Sequence, residues 1–312
     1  MRILVTGGAG FIGSKLAHDL HKEGHIVTVL DNFNHYYDVN LKRAREREFL
    51  EDITVVEGDI LDGDFLKTLF QAKEFDLVCH FAAMAGVRYS SKNPTLYTNV
   101  NINGLINLLE VMREFNCKRM VFASSSSVYG DSTIAPYTED VVADKPKSVY
   151  GASKRAGEIL LHSYYDLYGI ESTCLRFFTV YGPWTRPDMA MLKFAERMKN
   201  NEVIQIYNYG KLKRDFTHID DIVSGFKLAV EKPLGYEVLN LGRGEPVDLL
   251  EYVYMLEEAL GMKAKKEFHP MQAGDVHETY ADITKARELL GFSATVDIKQ
   301  GIQTFAEWFN SR

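Results

Sequence analysis

The chain has 312 residues, of which 46% are hydrophobic and 25% charged, and its formal net charge is −7 at pH 7. This length suffices for one large domain and a smaller one, and the composition is typical of a globular protein. A nucleic-acid partner is disfavoured, because surfaces that bind its phosphates are usually basic. Cys79, Cys117 and Cys174 lack metal-ligand spacing, so we expect reduced, packed thiols in a cytoplasmic protein and no metal. No run approaches the ~18 apolar residues of a membrane span, and no signal peptide is recognised.

Short apolar runs alternate with amphipathic segments through the first half of the chain. The apolar runs lie at 3–5, 26–30, 53–56, 77–81, 120–123 and 173–178, and the helical patterns at 11–23, 94–115 and 150–168. This alternation predicts a doubly wound α/β fold with a parallel sheet, and nearly continuous apolar strands fit a sheet covered on both faces. A basic run at 42–47, interleaved with Glu, is interpreted as a solvated helix face.

The pattern changes after residue 178. A helix is predicted near 189–200, followed by strands at 203–207 and 214–217, a helix at 220–231 and a buried strand at 237–241. We expect the last two elements to return to the main sheet. Further helices are predicted at 247–260 and, from a capping signal at Asp297 and Gln300, at the end of the chain.

A glycine-rich turn joins the first apolar run to the first helical pattern. Gly7 permits the turn, Gly10 lets the backbone approach a pyrophosphate, and Gly13 lets the helix pack on the strand. The helix N-terminus then offers free N–H groups to phosphates. Asp31 ends the second run, where an acid accepts hydrogen bonds from a ribose 2′-hydroxyl and repels a 2′-phosphate. The pattern therefore favours NAD over NADP.

These signals predict a Rossmann-type NAD-binding domain at 1–180, with a return segment at about 209–244. A smaller C-terminal α/β domain at 181–208 and 245–312 is expected to be interleaved with it and to bind the substrate. Asp59 and Ile60, after the third run, are either an adenine contact or the start of a helix cap.

Tyr150 and Lys154 are four residues apart at the start of a helical pattern and therefore share one face. A neighbouring ammonium favours the phenolate, which makes Tyr150 a candidate base for an alcohol or sugar hydroxyl. The serine run 124–127 directly follows the fifth strand. Because ligands of open α/β sheets bind beyond the carboxyl ends of the strands, these serines and Tyr150 are expected to meet.

Together with Val128-Tyr129-Gly130 and Arg214-Asp215-Phe216, these motifs resemble the extended short-chain dehydrogenase/reductases that act on nucleotide sugars. Four segments, 31–45, 82–90, 175–190 and 272–276, resemble one subfamily, the UDP-glucuronate 4-epimerases. The resemblance implies tightly held NAD and a UDP-sugar substrate. The expected cofactor contacts are Gly7, Gly10, Phe11, Ile12, Gly13, Asp31, Asn32, Asp59, Ile60, Ala82, Ala83, Asn99, Tyr150 and Lys154.

The serine run separates the reactions of this superfamily. Related dehydratases carry Asp and Glu at the positions of Ser126 and Ser127, and related decarboxylases carry Glu at that of Ser127. Hydroxyl groups hold a substrate but do not drive elimination at neutral pH. The resemblance therefore implies 4-epimerisation of UDP-glucuronate to UDP-galacturonate through a 4-keto sugar. Tyr150 would take the proton of the 4-hydroxyl, and Ser125 would hydrogen-bond the same oxygen.

Several residues are candidates for the remaining substrate contacts. Arg186 suits the carboxylate, because a guanidinium matches it bidentately, but it could equally be a solvated loop residue. Arg88 could contact the carboxylate or a phosphate. Arg214 could contact the diphosphate or uridine, or form a structural ion pair with the adjacent acid. Asp275 could accept from the uridine ribose, and Thr179 stands where several relatives carry Asn, which leaves its contact open.

Two alternatives remain at this point. One is an epimerase for neutral sugars, UDP-glucose or UDP-N-acetylglucosamine. The other is a non-catalytic NAD-binding redox sensor, which Tyr150 and Lys154 disfavour because a pure binder has no need of them. The resemblance also implies a homodimer formed through the helices near 94–115 and 150–168.

Overall fold

The computed structural model describes residues 1–130, 135–272 and 276–312, which form two compact units. Unit 1 comprises Met1–Ser132, Val142–Arg176 and Val223–Leu239, and unit 2 comprises Thr133–Val141, Phe177–Ile222 and Asn240–Arg312. The chain thus passes between the units several times. Within the described ranges, no helix has the length and apolar character needed to cross a membrane.

The main sheet accounts for most of unit 1. In the described part of the chain it has seven strands in the order β10-β6-β5-β4-β1-β2-β3, the order of a doubly wound sheet whose switch point lies between β1 and β4. β1 pairs in parallel with β2 and β4, β2 with β3, and β4 with β5. The strands are β1 (Arg2–Thr6), β2 (Ile26–Asp31), β3 (Thr54–Glu57), β4 (Leu77–His80), β5 (Arg119–Ser125), β6 (Glu171–Phe177) and β10 (Tyr236–Leu241).

Amphipathic helices flank this sheet. They are α1 (Phe11–Lys22), α2 (Val39–Phe49), α3 (Gly63–Lys73), α4 (Val87–Lys92), α5 (Pro94–Thr98), α6 (Gly104–Glu114), α7 (Val149–Tyr168) and α9 (Ile219–Glu231). The predicted helix at 94–115 is interrupted, because a π-helical turn, Asn99–Asn103, lies between α5 and α6. Apolar faces of α3, α6 and α7 pack on the strands in a core that includes Phe70, Leu105, Phe122 and Leu161.

Unit 2 is built around a smaller sheet and a helical layer. β9 (Lys213–His218) is its centre and pairs with β7 (Thr179–Tyr181), β11 (Pro246–Asp248) and β13 (Glu278–Thr279). β8 (Val203–Ile206) pairs separately with β12 (Lys265–Phe268). The helices are α8 (Ala190–Lys199), α10 (Leu249–Leu260), α11 (Thr284–Leu290) and α12 (Ile298–Asn310).

The core of unit 2 contains a stacked aromatic pair among aliphatic side chains. Phe216 of β9 stacks on the buried ring of Tyr252, with a centroid distance of 3.9 Å. The predicted cap of the last helix is present, because the Asp297 carboxylate accepts hydrogen bonds from the backbone N–H groups of Lys299 and Gln300.

The predicted boundaries of the interleaved domains need correction. The sequence places a return segment at about 209–244, whereas the corresponding part of unit 1 is Val223–Leu239. The reason is that β9 pairs with β7, β11 and β13 rather than with the main sheet. The segment 177–180 also belongs to unit 2, because β7 is part of that second sheet.

Candidate active site

The glycine turn after β1 forms a close junction with the end of β4. Gly7 has a φ of 67°, in the left-handed region, and a Cβ atom there would lie 2.7 Å from the backbone nitrogen of Ala82. A Cβ atom on Gly13 would lie 2.6 Å from the carbonyl oxygen of Gly7, so α1 packs directly on the turn. α1 begins at Phe11, and the N–H groups of its first turn have no partner within the helix. The turn therefore has the shape and the free donors that a pyrophosphate requires.

Asp31, at the end of β2, is almost fully buried behind this turn. Its carboxylate accepts hydrogen bonds from the backbone N–H groups of Ala9 (3.1 Å) and Phe33 (2.8 Å). It also forms an ion pair with Lys42, whose Nζ atom lies 2.9 Å from Oδ1. The acid expected to select the ribose is thus fixed in place by the glycine turn and by α2.

The basic run at 42–47 is not uniformly solvated, contrary to the sequence interpretation. Lys42 and Arg45 are 5% and 0% exposed. Arg45 donates to the hydroxyl of Tyr37 at 2.8 Å and lies over that ring. Positions 42 and 45 are three apart and therefore share one face of α2, which is the signal in the sequence that could have separated them from their solvated neighbours.

The next two predicted cofactor contacts are joined to each other. The side-chain amide of Asn32 donates to the carboxylate of Asp59 at 2.9 Å, and Asp59 also accepts from the backbone N–H of Leu61. Asp59 therefore contacts the β2 loop and stabilises its own turn, but it does not cap α3. That cap is Asp62, whose carboxylate accepts from the backbone N–H of Phe65 at 2.9 Å. The adenine contact of Asp59 stays a prediction. The side chain of Ile60 is buried in the core, which leaves its backbone as the part that a cofactor could contact.

Asn99 is a further predicted cofactor contact, and that contact stays a prediction. Its side chain is exposed at the start of the π-helical turn and accepts a hydrogen bond from Asn103 at 3.2 Å. Asn101, two residues later, is buried: it accepts from the backbone N–H of Met84 at 2.8 Å and donates to Ser153 at 2.9 Å. Asn101 thus holds the loop that carries Ala82 and Ala83 against α7. The sequence reading missed it, because a π-turn changes which side chains share a helix face.

The serine run and the Tyr-Lys pair meet as expected. The Ser125 hydroxyl accepts from the backbone N–H of Ser127 and caps a short 3₁₀ turn that contains Ser126 and Ser127. α7 reaches this turn because position 151 is glycine, where a Cβ atom would lie 2.3 Å from the carbonyl oxygen of Ser127. Tyr150, the preceding residue, is half-buried at the start of α7.

Lys154 follows Tyr150 by one turn of α7 and is 4% exposed. Its ammonium donates to the carbonyl oxygen of Ala123 at 2.8 Å and lies over the ring of Phe122. Burial lowers the pKa of Lys154 to about 8, and the nearby charge of Glu158 acts in the opposite direction. Below that pH the lysine is an ammonium, the form that favours a phenolate at Tyr150.

The candidates for substrate contacts lie in both units. In unit 1, Arg88 is exposed on α4. In unit 2, Thr179 is half-buried at the start of β7, and Arg214 donates to the carbonyl oxygens of Lys213 (2.7 Å) and His277 (3.2 Å). Asp275 lies outside the described residues.

Arg186 already holds a carboxylate. Its Nε and Nη2 atoms donate to the two carboxylate oxygens of Asp188 at 3.0 and 2.8 Å. The guanidinium therefore has the bidentate geometry that the sequence argument requires, but a substrate carboxylate would have to compete with Asp188 for it.

Residues 3–242 match the NAD dependent epimerase/dehydratase family. The chain belongs to this family, and NAD is its cofactor. The glycine turn and Asp31 of unit 1 fit that dinucleotide. UDP-glucuronate 4-epimerase of Thermodesulfobacterium geofontis is 42% identical to this chain, over 98% of this chain and 95% of the relative.

Two solved structures are also similar. UDP-glucuronic acid 4-epimerase of Bacillus cereus, in complex with UDP-glucuronic acid and NAD, is 36% identical with a TM-score of 0.93, over 100% of this chain and 99% of that one. UDP-glucose 4-epimerase of Thermotoga maritima, with UDP-glucose, is 32% identical with a TM-score of 0.91, again over 100% and 99%. Both the fold and the subfamily resemblance found in the sequence are confirmed.

Proposed function

We propose that this protein catalyses the NAD-dependent 4-epimerisation of UDP-glucuronic acid to UDP-galacturonic acid through a 4-keto sugar. The observation that carries this proposal is the surroundings of Tyr150: a buried ammonium, Lys154, and a turn of hydroxyl side chains in which neither Ser126 nor Ser127 is an acid. Such a site can move a proton to and from a hydroxyl, but these serines do not supply the acid and base of an elimination.

The residues of unit 1 divide the work as follows. Tyr150, as phenolate, accepts the proton of the sugar 4-hydroxyl. It later returns a proton to the 4-oxygen of the sugar whose configuration at that carbon is inverted. Lys154 stabilises that phenolate electrostatically. Ser125 hydrogen-bonds the 4-oxygen and thereby orients it towards Tyr150. Bound NAD supplies the hydride acceptor and then the hydride donor for the same carbon.

The cofactor cradle explains why little added NAD should be needed. Asp31 and the turn at Gly7 hold the dinucleotide, and because each turnover leaves the cofactor in its starting oxidation state, nothing requires its release. Asn32 and Asp59 extend this cradle towards the adenosine. Asn99 stays a predicted contact, and Asn101 supports the cradle by holding the backbone at Met84.

We propose that Arg186 gives up its ion pair with Asp188 and contacts the sugar carboxylate instead. A β-keto acid loses carbon dioxide readily, so an epimerase must hold that carboxylate firmly. The neutral-sugar epimerase is retained as the second candidate, because the ion pair between Arg186 and Asp188 satisfies the guanidinium without any substrate carboxylate. Arg88, Arg214, Thr179 and Asp275 stay predictions for the remaining contacts.

A homodimer is proposed through α5 and α7. Large apolar side chains on these helices are exposed, among them Leu96, Ile159 and Leu167, the last of which is 69% exposed. Light scattering on the purified protein tests this assembly, and Ile159→Glu with Leu167→Glu should give a monomer. A cytoplasmic location is proposed as well, supported by three buried, unpaired cysteines.

The decisive experiment is incubation of the purified protein, without added NAD, with UDP-glucuronate, UDP-glucose and UDP-N-acetylglucosamine. NMR of the products should show UDP-galacturonate from the first and much slower conversion of the others. Turnover that requires added NAD and accumulates NADH in proportion to product would identify a dehydrogenase, and preferential turnover of UDP-glucose would establish the second candidate. Absence of any turnover with NAD bound would favour the redox sensor.

A further inference from the structure

A fully buried carboxylate lies directly behind the serine run. Glu158, on α7 two turns after Tyr150, is 0% exposed. Its Oε1 atom accepts hydrogen bonds from the Ser124 hydroxyl at 2.6 Å and from Arg176 Nε at 2.9 Å. Its Oε2 atom accepts from Arg176 Nη2 at 2.8 Å and from Arg155 Nη1 at 3.0 Å.

α7 therefore contacts two successive residues at the end of β5. Lys154 donates to the backbone carbonyl of Ala123, and Glu158 accepts from the side chain of Ser124. Lys154 and Glu158 are one helical turn apart and lie on the same face. The next residue of the strand is Ser125, and Tyr150 lies one turn before Lys154 on the helix. Ser125 and Tyr150, the two residues assigned to the sugar 4-oxygen, are thus each close in sequence to the residues that join β5 and α7.

Glu158 is itself held rigidly. Arg176, 2% exposed on β6, lies with its guanidinium 4.7 Å from the ring centroid of Tyr129. The Tyr236 hydroxyl donates to the backbone carbonyl of Glu158 at 2.9 Å. A buried carboxylate is stable only when its oxygens are well bonded, and here two guanidinium groups and a hydroxyl achieve that. A charged network of this kind gives a fixed geometry rather than a compliant one.

We infer that Glu158, held by Arg176, is a positioning residue that fixes Ser125 relative to Tyr150 through the hydrogen bond from Ser124. This inference rests on the proposed function, because that function assigns Ser125 and Tyr150 to the reacting oxygen. Glu158 does not need to touch the substrate or the cofactor. It acts by fixing the position of the end of β5 relative to α7.

The substitution Ser124→Ala tests this role. It removes the donor while the carboxylate keeps both arginines, so folding should survive. We expect kcat for UDP-glucuronate to fall about tenfold, as a misplacement below 1 Å can cost that much. KM and the amount of retained NAD should stay within about twofold, because neither binding site is touched. Ser163→Ala is the matched control, since Ser163 is exposed on the same helix and its hydroxyl donates to the carbonyl oxygen of Ile159.

A second readout does not need the substrate. In Ser124→Ala, amide hydrogen exchange at residues 125–128 should become faster, whereas Ser163→Ala should leave it unchanged. The inference is overturned if exchange is unchanged, if kcat keeps its parental value, or if kcat falls only together with loss of NAD or a rise in KM. If the parent protein does not epimerise UDP-glucuronate, the proposed function fails, and the exchange measurement still decides whether Glu158 and Ser124 fix the strand end.

Discussion

The carbonyl oxygen of Ser127 lies so close to Gly151 that a Cβ atom on that glycine would come within 2.3 Å of it. No side chain can be accommodated there unless the serine turn or the start of α7 moves. The contact joins the two segments that carry the proposed chemistry. Tyr150 can therefore approach the serines only because the residue that follows it has no side chain.

Gly151→Ala should separate these segments. Because the added methyl group meets backbone rather than a flexible side chain, we expect kcat to fall by about 10² while the protein still folds and retains NAD. Gly63→Ala is the matched control, since a Cβ atom on Gly63 meets nothing within 4 Å. Steady-state kinetics and cofactor release on denaturation provide the measurements. Parental kcat in Gly151→Ala would show that the spacing has no catalytic importance.

Tyr150→Phe removes the proposed base and leaves the ring in place. Loss of a general base typically costs ~10²–10⁴ in rate, and the NAD content should not change. Tyr209→Phe, at an exposed tyrosine of unit 2, serves as the control. Turnover of the Tyr150 variant within a few-fold of the parent would assign the base to another group.

Ser127→Glu places a carboxylate where decarboxylases carry one. The rate of epimerisation should fall, and some of the 4-keto acid should be diverted to a UDP-pentose with release of carbon dioxide. NMR of the nucleotide sugars detects both products. If epimerisation continues unchanged, the side chain at 127 does not face the sugar.

Arg186 and Asp188 should have opposite effects on the uronic acid. A charge-assisted hydrogen bond contributes about 1.5–3 kcal/mol, so Arg186→Ala should lower kcat/KM for UDP-glucuronate roughly ten- to a hundredfold. Asp188→Asn removes the competing carboxylate and should lower KM for the same substrate. Any conversion of UDP-glucose should change far less in either variant. Arg197→Ala, on α8, is the control. Equal losses for both substrates would assign Arg186 to the loop or the diphosphate.

The ion pair between Asp31 and Lys42 should be costly to break from one side. Asp31→Asn leaves a buried ammonium without its counter-charge, which typically costs about 3–5 kcal/mol of unfolding free energy. Combining it with Lys42→Met should restore part of that loss. Asp19→Asn, in a more accessible pair with Lys15, should cost under about 1 kcal/mol. Urea denaturation measures the unfolding free energies of the NAD-free parent, the single variants Asp31→Asn and Lys42→Met, their double variant, and Asp19→Asn. A double variant as unstable as the sum of its singles would contradict the coupling.

The sequence was most informative where one periodicity ran without interruption. The apolar strands of the main sheet, α1 and α7 were predicted within a few residues, because burial on both faces leaves a simple pattern. It was less informative after residue 178. There, the sequence of β9, KRDFTH, indicates a strand but not its partners, and only its pairing with β7, β11 and β13 places it in a second sheet. Strand pairing of this kind is non-local and leaves little trace in a single sequence.

The candidate site shows the same division. Gly7, Gly13 and the Tyr-Lys pair could be predicted because their spacing follows from the turn and helix that carry them. Asn101 could not, since the π-helical turn shifts the register by which buried positions are identified. Glu158 was missed for a different reason. A charged residue in a helix is normally solvated. The buried arginine that forms an ion pair with Glu158 is Arg176, which lies on a different element and cannot be identified from the sequence of α7.

The order of strands in the main sheet has a consequence for biosynthesis. β6 lies between β5 and β10, but β10 is translated only after the Phe177–Ile222 segment of unit 2 and α9 have emerged. At about 5–20 residues per second, the nascent chain presents an unpaired edge at β6 for several seconds. Such an edge is a template for pairing with another chain. Chaperone demand during synthesis should therefore be greatest in this interval, and a chain that terminates before Tyr236 would expose the edge permanently.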